Sequence, residues 1–141
     1  MPGHPVLSRL RRHFTKTVTF DGGSGSGAVG TVAIATITGS VLLEHLTCEC
    51  TTLLAGATAT LELGTANNTA ALIAQTTATE IDANEYWHDD TPEAEVGDAV
   101  TNKTVNANII LTVGTAAISS GVIVISGFWV PLSAPGRLAL A

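Results

Sequence analysis

Apolar and polar residues alternate along much of this chain with a period of two. Residues 57–63 alternate strictly, with Ala57, Ala59, Leu61 and Leu63 on one face and Thr58, Thr60 and Glu62 on the other. Residues 106–113 repeat the pattern through Ala107, Ile109, Leu111 and Val113. Successive side chains of a strand point to opposite faces, so both segments predict half-buried strands. Residues 42–52 form a third. Leu42, Leu46, Cys48 and Cys50 share the expected inner face, Glu44 falls among them near the strand start, and Leu43, His45, Thr47, Glu49 and Thr51 face out. Residues 15–20, 29–38 and 70–77 add shorter strands. Residues 122–130 are apolar on both faces: Val122, Val124, Ser126, Phe128 and Val130 on one, Ile123, Ile125, Gly127 and Trp129 on the other. Such a strand is central in a covered sheet or meets another subunit. Turn residues recur about every ten positions, for about eight strands. The pattern predicts an all-β, antiparallel β-sandwich of jelly-roll type.

Leu61-Glu62-Leu63-Gly64-Thr65-Ala66 is echoed by Leu111-Thr112-Val113-Gly114-Thr115-Ala116. Two equivalent hairpins in opposing sheets would produce this echo. The glycine run 22–27 reads as a flexible loop without a phosphate-binding pattern. The expected organisation is a basic N-terminal arm over residues 1–15, a sandwich over 16–133 and a loose tail over 134–141.

Composition narrows the class. Of 141 residues, 45% are apolar and 13% charged, with 20 Ala, 21 Thr and 14 Gly. That apolar content argues against disorder and fits one domain. All twelve acids lie between Asp21 and Asp98, whereas residues 1–20 hold Arg9, Arg11, Arg12 and Lys16 and no acid. An acidic body with one basic segment excludes nucleic-acid binding over the whole surface and leaves the arm to dock onto an acidic partner. No secretory signal is visible. Residues 109–130 are long enough to span a bilayer, but Gly114, Ser119, Ser120 and Gly121 interrupt them, which predicts two strands and no membrane association.

Candidate chemistry is thin. Cys48 and Cys50 share a strand face, so they read as buried free thiols and not as a disulfide. His88 has Asp82, Glu85, Asp89 and Asp90 nearby in sequence, without the spacing of a calcium loop. Solvated rim residues explain them, and Trp87 reads as a packing anchor. No serine stands in a nucleophile motif. No catalytic residue, cofactor or metal is expected, and the protein is not expected to be an enzyme.

From residue 16 to 133 the chain resembles a family of small virion structural proteins encoded by tailed bacteriophages. The matching stretches include Lys16-Thr17-Val18-Thr19-Phe20, Ala57-Thr58-Ala59-Thr60-Leu61-Glu62-Leu63-Gly64-Thr65-Ala66, Trp87-His88-Asp89 and Trp129-Val130-Pro131-Leu132-Ser133. The resemblance implies a virion component assembled in the host cytoplasm. Size, β-rich composition and acidic body fit a capsid decoration or cement protein, expected as a homo-oligomer, a trimer, bound to the major capsid protein or another virion protein. Arg9, Arg11, Arg12 and Lys16 are the expected docking arm, and Ile123, Ile125, Trp129 and Trp87 the expected oligomer contact. The competing expectation is a tail, neck or head-fibre protein in which Trp87, His88 and nearby carboxylates contact a host glycan.

Overall fold

A computed structural model describes residues 10–94 and 96–141. Eleven strands form two antiparallel sheets among these residues. They are β1 (Arg12–Thr19), β2 (Gly30–Thr38), β3 (Val41–Ala55), β4 (Thr60–Thr65), β5 (Ile73–Thr77), β6 (Glu85–Tyr86), β7 (Glu93–Ala94), β8 (Lys103–Val105), β9 (Ile109–Gly114), β10 (Ser120–Pro131) and β11 (Arg137–Leu140), with one 3-10 turn at Ala78–Glu80. The first sheet runs β1-β10-β3-β6-β7, with β8 also on β3, and the second runs β11-β2-β9-β4-β5.

This order is a jelly roll. Its eight principal strands are β1 to β6, β9 and β10. Counted first to eighth, they lie first-eighth-third-sixth in one sheet and second-seventh-fourth-fifth in the other. The all-β sandwich expected from alternation is therefore the fold. No helix among the described residues is long and apolar enough to cross a membrane.

The core lies between the sheets and takes alternate residues from each strand. Leu61 and Leu63 of β4 meet Val113 and Leu111 of β9 in register, and all four are buried. These strands carry the sequence echo, yet they pair antiparallel within one sheet and do not sit in opposing ones. Ile123, Ile125 and Trp129 of β10 turn toward the same interior, side by side in one sheet with Val18 of β1 and with Cys50, Cys48 and Leu43 of β3. Ala57, expected inside, is exposed in the turn before β4.

β3 departs most from the expected pattern. Its inner face is Val41, Leu43, Leu46, Cys48 and Cys50, and Leu42 and Glu44 face out. Ser126 pairs with Thr47 and Phe128 with Glu44, so His45 and Leu46 together oppose the single residue Gly127. His45 takes φ 51° there. This β-bulge adds a residue and inverts the alternation on either side of it. Gly127 permits the close approach: a Cβ there would sit 3.3 Å from the Leu46 Cα and from the Glu44 carbonyl oxygen.

Both ends of the chain hold more structure than alternation implied. The first strand begins at Arg12, so residues 12–15 belong to the sandwich and not to an arm. Residues 137–140 are not a loose tail. They pair with β2 from Arg137–Thr38 to Leu140–Ala35, and Leu138 is buried. The partner's hydrogen-bonding groups, and not local pattern, hold this short strand. The glycine run is ordered too. Asp21 Oδ1 accepts the Gly23 N–H and the Ser26 hydroxyl, and the Ser26 and Ala28 N–H groups donate to the Gly23 carbonyl. A Cβ at Gly27 (φ 137°) would fall 2.2 Å from the Ile118 carbonyl oxygen, so only glycine fits.

Candidate functional site

β1, β10 and β3 lie side by side and present one outer face. Val122, Val124, Ser126, Phe128 and Val130 of β10 occupy its centre, with Leu42, Glu44, Thr47 and Glu49 of β3 on one flank and His13, Thr15 and Thr17 of β1 on the other. The β10 residues are half-buried, although no second layer covers them among the described residues. Their neighbours in the sheet supply the partial cover.

Arg11 organises one end of this face. Its guanidinium lies 4.4 Å from the Phe128 ring centroid, and its Nε stands 3.6 Å from Glu44 Oε1. The bulge is what turns Glu44 outward to meet it. The His13 ring stands edge-on to Phe128 with centroids 5.2 Å apart. Cation–π contact and a half-exposed ion pair each contribute about 0.5–1 kcal/mol, so the cluster is fixed without being locked. Arg12 lies over Trp129 at 5.0 Å and covers one end of the core.

Of the expected docking arm, Arg9 lies outside the described residues. Arg11, Arg12 and Lys16 sit on or beside β1. Lys16 points toward the gap between the sheets, and its Nζ donates to the Ala141 main-chain oxygen at 2.7 Å. It borders a cavity of 390 Å³ lined by β1, β2 and the 25–26 loop. Three of the four cations are therefore part of the sandwich, because β1 reaches further back than its apolar alternation showed.

The expected oligomer contact is not at the surface. Ile123, Ile125 and Trp87 are fully buried within one chain, and Trp129 is 5% exposed. Apolarity on both faces of β10 reflects its central position, and the face left toward solvent is the opposite one, through Val122, Val124, Phe128 and Val130. The signal was present in the sequence, but alternation does not say which of two apolar faces is inside.

Trp87 is equally removed from any glycan. Its Nε1–H donates to Thr76 Oγ1 at 2.8 Å in the interior, and its N–H donates to the Cys48 carbonyl. It is the packing anchor the sequence suggested. His88 beside it is largely covered. Its Nδ1 lies 3.3 Å from Asp89 Oδ2, and its buried Nε2 meets no protein partner. Asp89 is itself committed: Oδ1 accepts the Thr91 N–H and hydroxyl, both at 2.7 Å. Those hydrogen bonds, with His88 adding a smaller effect, hold its carboxyl below the usual range. Among the described residues no three His, Cys, Asp or Glu side chains come together as a metal-binding group.

Cys48 and Cys50 are both buried and free. Burial raises the Cys48 thiol far above its ordinary value. The Cys50 thiol is pushed up to about 11, mainly by burial, with Glu85, Asp82 and Glu49 adding to it. Both stay protonated and inert at neutral pH.

Comparison with protein-family models and with curated proteins finds no match for this chain.

Proposed function

We propose that this protein is a structural component of a tailed-bacteriophage virion. In this reading it is a decoration or cement subunit that binds the major capsid protein, or another virion protein, and stabilises the head as a homo-oligomer, a trimer by preference. It would join the particle in the host cytoplasm. Three things support the reading. The sequence from 16 to 133 resembles virion structural proteins. The jelly roll recurs in viral capsid and lectin domains, although a fold alone assigns no function. The observation that carries the reading is the outer face of β10. It keeps Val122, Val124, Phe128 and Val130 half open to water, rimmed by Arg11, His13, Glu44 and Glu49. An apolar centre within a charged rim is the anatomy of a docking surface.

The mechanism is association alone. The outer face seats on the lattice, the bulge holds Glu44 and Arg11 at its margin, and the core keeps the face rigid. Purified protein is mixed with undecorated heads and the heads are pelleted. Saturable co-sedimentation, and particle density for this chain on the head, is the expected result. Protein that stays in the supernatant at every concentration refutes the reading, and density on the tail or neck moves the assignment there.

A further inference from the structure

Two lysines stand on the inner side of strands that border the gap between the sheets. Lys16 of β1 is engaged, because its Nζ donates to the Ala141 main-chain oxygen. Lys103 of β8 is not. It pairs with buried Leu43, and Val105 two residues on is buried and pairs with Val41, so Lys103 and Val105 share the inner face of β8. Lys103 is exposed and has no ion-pair or hydrogen-bond partner among the described residues. It borders a cavity of 150 Å³ that the β4–β5 loop of the second sheet closes from the other side. Asn67 and Asn106 also line this cavity, and neither side-chain amide is bonded within the protein among the described residues. Leu72 and Val105 supply its apolar wall. No acid lines it, although the chain carries twelve. The loop is held from within: Asn68 Oδ1 accepts the Ala70 N–H, and Thr65 and Asn68 exchange main-chain hydrogen bonds. The free polar ends are therefore carried on fixed backbone, which lowers the cost of binding. An inward lysine on a sheet edge guards against strand pairing. That role explains the charge and leaves the two unbonded amides beside it unexplained.

We propose that this cavity binds a sugar acid, one hexuronate ring of an acidic glycan. A primary amide offers both a donor and an acceptor, as a hydroxyl does, so Asn67 and Asn106 suit the ring hydroxyls. A fully ionised phosphate only accepts, and would leave both amide oxygens unused. Lys103 supplies the single positive charge for the ring carboxylate, through a charge-assisted hydrogen bond. Leu72 and Val105 meet the C–H face of the ring. The cavity of 150 Å³ is about half the smallest usual for a drug-sized ligand, so it takes one ring and lets the rest of a glycan run outward. None of these residues belongs to the outer face of β10, so the site goes beyond the virion reading and neither requires the other.

Titration of the isotope-labelled full chain, read from backbone amide shifts by NMR, tests this. Glucuronate or galacturonate is expected to move the amides of residues 65–72 and 103–106 saturably. Glucose and galactose lack the carboxylate and acetate lacks the hydroxyls, so each should bind at least tenfold more weakly than the better uronate. Lys103→Gln should lower uronate affinity at least tenfold, and Lys103→Arg should restore most of it. Asn67→Ala and Asn106→Ala should each lower it severalfold. All three positions are exposed, and unchanged shifts elsewhere in the spectrum report that the variants fold. Three results each overturn the site: no saturable shift of these amides with either uronate up to about 50 mM, well past millimolar affinity; equal binding of acetate or inorganic phosphate; or uronate affinity unchanged in Lys103→Gln. Head co-sedimentation of Lys103→Gln keeps the two readings apart. The virion role stands or falls on the face of β10, and this site on the uronate titration.

Discussion

The two outer faces of the sandwich are built on the same backbone plan and differ in what they show to water. In the second sheet, Thr31 pairs with Thr112 and Thr112 with Glu62 across β2, β9 and β4, and Ala33, Ile110 and Gly64 form the next row. In the first sheet the corresponding rows are Thr17, Val124 and Glu49, then His13, Phe128 and Glu44. β9 and β10 both bury one face completely and leave the other half-open. The difference is therefore chemical and not one of depth. A threonine at a half-open position presents less apolar surface than a phenylalanine and carries a hydroxyl, whereas a valine or phenylalanine there presents apolar surface alone. The first face carries Val124 and Phe128 at the centre of its rows, and the second carries Thr112 and Ile110.

Deleting His45 is the largest break in that contrast. Without the extra residue, Val41 and Leu43 would turn outward and Leu42 and Glu44 inward. A net loss of one apolar side chain to water and a carboxylate forced inside cost about 5 kcal/mol, enough to unfold a marginally stable domain. Loss of the cooperative urea transition is the expected result. His45→Gly keeps the bulge and removes the positive-φ strain. It should stabilise by about 1 kcal/mol, read from the same transition.

Val124→Asp places a charge in the centre of the first face and should weaken head binding at least tenfold. Thr31→Asp on the second face should leave it unchanged. Equal loss from both variants would show that neither face is special. A smaller effect sharpens the description of the second face. The Thr112 hydroxyl is buried and meets no partner, so Thr112→Val should raise stability by about 0.5–1 kcal/mol in urea melts. A loss there would mean that the hydroxyl is engaged.

The smallest change lies in the loops. Asp89 is held below the usual carboxylate range by Thr91 and His88, and Asp21 by the Ser26 hydroxyl and the Gly23 N–H. A folded value below the unfolded one stabilises above about pH 4 and is lost as pH falls through the folded value. Wild-type Tm should therefore drop as pH falls below about 4. Asp89→Asn should shallow that limb slightly, because the group is exposed and screened. An unchanged slope would assign the acid limb to other carboxylates.

The period of two was legible wherever one face of a strand carries Thr or Glu and the other Leu or Val. β4, β9 and the Cys48–Cys50 half of β3 could be assigned to faces directly, and the two thiols were recognisable as buried and inert. Trp87 was legible as an anchor, because one large aromatic in a polar loop has few other uses. Leu42 and Leu43 were not separable, since both are leucine and the residue that decides between them lies on another strand. For β10 the same ambiguity covered the whole strand. Ile123 and Ile125 look no more internal than Val122 and Val124 until β1 and β3 flank the strand.

Alternation, and with it the sheet class and most of the core, is written into the sequence because it depends only on backbone geometry and the type of each side chain. The bulge opposite Gly127, the pairing of β11 with β2 and the stacking of Arg11 on Phe128 were decided by tertiary structure alone. Each requires groups distant in sequence to meet, and a local pattern holds no information about which strand will be the neighbour.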